Sequence, residues 1–289
     1  MKVIRAVSLG YCMGVRRAVS IAEAETGKKV YTIGPLIHNP RVLEDLRQRG
    51  IQALETAETS ADLCEAVVII RAHGVTPRQE RQLAEQGARL VDATCLRVKA
   101  SQMKAKALAE SDHVVFLAGE KRHGELIGIQ GYAPDCLLVA DAGEAEASAA
   151  ALHASVPASK TALLGQTTLS ADEYGLIAQA IRRYFPDIEV IDTICRATRD
   201  RQNALKELCR LVDAIVVAGG RDSANTQRLF AIAQAAGKAA WLVESAAELP
   251  DALAAYPRVG LSAGASTPDK VIDEIEEALQ QLGAAPSQP

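Results

Sequence analysis

Aromatic side chains are scarce in this sequence: they make up 3% of 289 residues, with one Trp and three Phe. A core must then be assembled from Ala, Val, Leu and Ile, which favours helices packed on parallel strands over an all-β sandwich. The same shortage excludes aromatic platforms on which bases stack. A dense Lys/Arg stripe is also missing, and the formal net charge is −4. No nucleic-acid partner is expected, because phosphate neutralisation needs clustered cations. No window nears the roughly 20 apolar residues that span a bilayer, so no membrane partner is expected. The start, MKVIRAVSLGYCMGV, has neither the apolar stretch nor the cleavage site of an export signal. Six cysteines in such a chain read as free thiols or metal ligands, in a reducing cytoplasmic setting. Neither GxGxxG nor GxxxxGK(S/T) occurs, so the glycines that follow apolar runs mark no nucleotide site.

What is present is a threefold repeat. Apolar runs close on a cysteine three times, as VIRAVSLGYC, RLVDATC and EVIDTIC, ending at Cys12, Cys95 and Cys195. Amphipathic segments follow each: GVRRAVSIAEAE, RVKASQMKAKALAE and ATRDRQNALKELCRL. Next come strands ending in glycine (VYTIG, HVVFLAG, AIVVAG) and polar loops (PLIHNP, EKRHGE, GRDSAN). A further helix and strand lead to a fourth run in each copy: VVIIRAHGVTP, TALLGQTTLSA and RVGLSAGASTP. Strands alternating with helices imply parallel sheets with right-handed crossovers. The third copy runs out of chain, and VIRAVSL from the N-terminus supplies its missing strand. The expected fold is α/β, with three pseudo-repeated domains around a central cavity. They cover 13–95, 96–194, and 195–280 plus 1–12, with a flexible tail at 281–289.

Ligands of open parallel sheets bind beyond the carboxyl ends of the strands, where the polar clusters of this sequence lie. Three thiols at equivalent repeat positions suit a [4Fe–4S] cluster with three Cys ligands and one open iron. Cys64, Cys136 and Cys209 do not share that position and read as small buried or surface thiols. His38, His73, His123, Thr167, Ser223, Asn225 and Ser266 all lie in strand-end loops and could form an anion site without a run of lysines. His113 and His153 fall outside the pattern. Glu125 is the one acid in these loops placed for proton delivery; the alternative is a helix-start glutamate favoured by the dipole.

These stretches resemble the IspH/LytB family of 4-hydroxy-3-methylbut-2-enyl diphosphate reductases. The resemblance rests on GYCMGVRRAV, GPLIHNPRVLEDL, RAHGV, DATC, GEKRHGELIGIQGY, GQTTLS, ICRATRDRQ, NTQRL and SAGASTPD, and covers nearly the whole chain. It implies a trefoil of three α/β domains around a [4Fe–4S] cluster on Cys12, Cys95 and Cys195. It implies a diphosphate held by His38, His73, His123, Ser223, Asn225 and Ser266, with Glu125 passing protons and Thr167 orienting substrate and water. The implied reaction is reductive dehydroxylation to isopentenyl and dimethylallyl diphosphates in the methylerythritol phosphate pathway, with electrons from ferredoxin or flavodoxin. Ala224 departs from a Ser-Ser-Asn run, and Leu96 and Gly124 stand where prolines are usual; Arg196 directly follows the third cysteine. A paralogue with the same cluster and another substrate, or a non-catalytic iron–sulfur sensor, are the alternatives.

Overall fold

The computed structural model describes residues 1–25, 29–57 and 61–284. Its elements open with β1 (Lys2–Arg5), α1 (Met13–Ala24), β2 (Val30–Ile33), α2 (Pro40–Gln48), β3 (Ile51–Leu54), β4 (Val67–Ile70), α3 (Pro77–Glu85) and β5 (Arg89–Asp92). They continue with α4 (Leu96–Glu110), β6 (Val114–Ala118), α5 (Gly124–Gln130), β7 (Leu137–Val139), α6 (Ala142–Ser155), β8 (Thr161–Gly165), α7 (Ala171–Arg182) and β9 (Glu189–Val190). The last stretch holds α8 (Arg196–Leu211), β10 (Ala214–Ala218), α9 (Ala224–Ala235), β11 (Ala239–Val243), β12 (Arg258–Ala263) and α10 (Asp269–Ala284).

Twelve short strands form three parallel four-stranded sheets among the described residues, ordered β3-β2-β4-β5, β7-β6-β8-β9 and β11-β10-β12-β1. The order is the same in each. In the third sheet, β1 occupies the edge place that β5 and β9 hold in the others, with Lys2 beside Arg258 and Arg5 beside Leu261. Strands covered on both faces must be apolar throughout. Val115 and Leu117 of β6 accordingly pack in one cluster, while Phe116 and Ala118 pack in another on the opposite face. In β10, Ile215 and Val217 face one cluster, and Ala214, Val216 and Ala218 the other. Helix starts are fixed locally: Thr76 with Gln79 and Ser170 with Glu173 form capping boxes ahead of α3 and α7.

The chain divides into two compact units. One holds Met1–Arg16, Ile37–Asp45 and the residues from Arg196 onward, including the third sheet; the other holds Arg17–Leu36 and Leu46–Cys195, with the first two sheets. Residues 281–284, expected in a flexible tail, are instead the last turn of α10. Leu279 is buried and Leu282 packs on the same cluster, so the apolar stripe holds that turn in place; residues 285–289 lie outside the described residues. No helix among the described residues is long and apolar enough to cross a membrane.

Candidate active site

The repeat survives down to single hydrogen bonds. Gly34, Gly119 and Gly219 end β2, β6 and β10 with positive φ, a conformation that favours glycine. Each donates its N–H to the end of the neighbouring strand: to Leu54, Val139 and Val243 at 2.7, 3.0 and 2.9 Å. The three cysteines likewise sit one residue ahead of α1, α4 and α8. Their N–H groups donate to the carbonyls of Ala265, Ala72 and Thr167 at 3.2, 2.9 and 3.0 Å, each in the turn after β12, β4 or β8. Cys12, Cys95 and Cys195 therefore hold one structural position in three copies.

Among the described residues none of the three is in a disulfide, and all are half-buried. Cys12 belongs to one compact unit, and Cys95 and Cys195 to the other. The Val15 N–H donates to Cys12 Sγ at 3.4 Å, a polarised contact suited to a sulfur carrying negative charge. Such soft donors at a repeated position fit an iron–sulfur cluster by ligand chemistry. The remaining cysteines differ. Burial pushes the Cys136 thiol up to about 11 and also raises that of Cys209, so both stay protonated at neutral pH; Cys64 is exposed.

In the larger unit, Glu125 is 1% exposed on the first turn of α5. A carboxyl so deeply buried is not a solvated helix-start glutamate; it needs partners. Thr167 provides two: its N–H donates to Oε1 at 2.7 Å, and its hydroxyl to Oε2 at 2.9 Å. Because the Thr167 carbonyl accepts the Cys195 N–H, the acid is one residue removed from the cysteine turn. His123 caps α5, its Nδ1 accepting the Glu125 N–H at 3.2 Å, which puts the ring proton of the neutral form on Nε2. The His73 ring stands edge-on to it at 4.8 Å.

In the other unit, Ser223 caps α9 and Asn225 follows on its first turn. Both are buried, and Asn225 Nδ2 has no acceptor among the described residues. A buried amide donor is seldom left unpaired, and an anionic ligand would complete it. The Ser266 hydroxyl donates to the His38 carbonyl at 2.9 Å. A Cβ on Gly220 would stand 2.5 Å from that same oxygen. The His38 segment thus groups with the loops of the third sheet, although sequence order assigns it to the first copy.

Two residues with structural roles here were not singled out from the sequence. Gln166 is fully buried; its Oε1 accepts the Glu120 N–H at 2.9 Å and its Nε2 donates to the Thr168 hydroxyl at 2.8 Å, tying together the loops that carry Glu125 and Thr167. Asn39 caps α2 by accepting from Arg41 and Val42. An Asn ahead of a helix-starting proline is the signal that could have found it.

Known proteins resemble this chain over nearly its whole length. A family described as LytB protein matches residues 3–280. A 4-hydroxy-3-methylbut-2-enyl diphosphate reductase of Treponema denticola is 48% identical over 96% of this chain and 99% of its own length. One of Aquifex aeolicus is 35% identical over 97% of this chain and 96% of its own. Among solved structures, the E-1-hydroxy-2-methyl-but-2-enyl-4-diphosphate reductase of Plasmodium falciparum superposes with a TM-score of 0.87 at 26% identity, covering 96% of this chain and 87% of that one.

Proposed function

The chain belongs to the LytB family, and we propose that it catalyses reductive dehydroxylation of 4-hydroxy-3-methylbut-2-enyl diphosphate to isopentenyl and dimethylallyl diphosphates for isoprenoid synthesis. The observation that carries this reading is the buried carboxyl of Glu125, held by both donors of Thr167, whose carbonyl in turn holds the Cys195 turn. Cys12, Cys95 and Cys195 would ligate a [4Fe–4S] cluster with one open iron. When bound, that group supplies electrons singly and a Lewis-acidic site. Ferredoxin or flavodoxin would deliver the electrons, and cysteines outside any disulfide among the described residues accord with a cytoplasmic setting. Each sheet with its helices would form one repeat domain: 13–95, 96–194, and 195–280 with 1–12.

In the reaction the allylic C–O bond breaks and two electrons enter the allyl fragment. One proton leaves with the hydroxide as water, and a second forms the new C–H bond. Glu125 and Thr167 manage the first proton. A hydroxyl can accept as well as donate. When Oε2 carries a proton, it donates to Thr167 Oγ, which then passes its own proton to the departing oxygen. His38, His73, His123, Ser223, Asn225 and Ser266 would hold the diphosphate, with Asn225 Nδ2 gaining the acceptor it lacks.

Anaerobic purification with iron, sulfide and turnover assays tests the reading. Cys12→Ser, Cys95→Ser and Cys195→Ser should each lose most bound iron, and Cys64→Ser, Cys136→Ser and Cys209→Ser should keep it. Equal iron in all six would refute the ligand assignment; a full cluster without turnover would favour a paralogue acting on another substrate.

A further inference from the structure

Arg71 follows directly on β4, at the carboxyl end of the central pair of strands in its sheet. The strand registers make Gln166 and Gly264 its counterparts in the other two sheets, so only this copy carries a charge there. Two missing side chains make room for the guanidinium. A Cβ on Gly34 would stand 2.5 Å from Nη1, and a Cβ on Gly124 would stand 2.6 Å from Nη2. Gly124 separates His123 from Glu125, and it is one of the positions where this chain lacks an expected proline. The cation is thus wedged between segments that carry the candidate site.

It is poorly satisfied there. Its Nε donates to the Gly74 carbonyl, next to His73, at a long 3.4 Å. Burial pulls its pKa below the ordinary arginine value, and no carboxylate among the described residues opposes that pull. A guanidinium has five N–H donors in a fork that matches a phosphate edge. A half-buried cation with one long bond and no counter-charge among the described residues is unfavourable unless an anion completes it. His73 and His123, with ring centroids 4.8 Å apart, mark where this unit would receive one.

We propose that Arg71 is a further binding residue of this site, its guanidinium contributing a fixed positive charge to the diphosphate beside His73 and His123. The inference rests on the diphosphate-reductase reading given above. In this chain glycine at 34 and 124 leaves the guanidinium its present place, because a Cβ built on either would press on its tip and shift it. A purely structural wedge would instead act on loop stability and leave affinity alone.

The test is calorimetric titration of the cluster-loaded full chain with inorganic pyrophosphate, at low and high salt. Arg71→Gln should weaken binding about 10- to 100-fold and flatten its salt dependence, with iron content unchanged. Arg71→Lys, which keeps the charge but not the fork, should recover part of the loss. Gly124→Ala should weaken binding in the parent chain and add nothing in the R71Q background. Parental affinity in Arg71→Gln would overturn the proposal while leaving the reductase reading intact. A cluster-loaded parent chain that binds no pyrophosphate would sink both. Should Arg71→Gln fail to fold, unchanged affinity in Gly124→Ala overturns it.

Discussion

Glu125 and Asn225 occupy one position in two copies of the repeat, yet they are finished to different degrees. Each lies six residues beyond a strand-end glycine, on the first turn of the helix that follows, and each is buried. Glu125 has both carboxylate oxygens met by Thr167. Asn225 keeps an amide donor with no acceptor. The scaffold supplies the place, and the neighbouring turn decides the use. Where that turn offers Thr167, the position becomes a held acid suited to moving a proton. The corresponding turn in the third sheet has Ala265, a residue without a hydroxyl, and there the position suits an outside ligand.

The comparison breaks first at the acid. Glu125→Gln keeps the size and the bond from the Thr167 N–H but cannot deliver a proton. Turnover should fall about 10²- to 10⁴-fold, with iron content and substrate affinity little changed. Steady-state kinetics beside iron analysis checks this. A loss smaller than tenfold would mean that the two loops differ in packing only, and would favour a sensor that does no chemistry.

The repeat was legible because parallel strands buried on both faces leave unbroken apolar runs, such as VVII and AIVVA, and each run ends in a loop of a different polarity. Cysteines at the same offset could be matched by eye. What stayed hidden depends on which copies the chain groups together. Nothing in PLIHNP says that the His38 carbonyl is contacted by Ser266, which lies 228 residues away. Gln166 reads as an ordinary polar residue within GQTTLS, and only its full burial, with a donor and an acceptor both used, reveals a tie between loops. Arg71 is similar: beside a strand end it looks solvated, and it takes the backbones of Gly34 and Gly124 to show what surrounds it.

A gentler probe works on the unfinished side of the comparison. Asn225→Ala removes a donor that has no partner among the described residues, so the unfolding midpoint of ligand-free chain should stay level or rise. KM should climb about tenfold, corresponding to roughly 1–2 kcal/mol of lost hydrogen bonding to the ligand. A falling midpoint with unchanged KM would show that the amide serves the fold and not a ligand.

The smallest effect is expected one residue earlier. Ala224 is buried at the first position of α9, between Ser223 and Asn225. Ala224→Ser adds a hydroxyl where relatives of this family would be expected to carry one. In the ligand-free chain that hydroxyl is taken out of water at a buried position, so stability should drop by about 1 kcal/mol. With pyrophosphate present the same hydroxyl gains an anionic acceptor, and the thermal shift on binding should exceed that of the parent. The two signs must appear together. A stability loss without the larger ligand shift would place position 224 away from the anion, and would leave the anion to the neighbouring donors of Ser223 and Asn225.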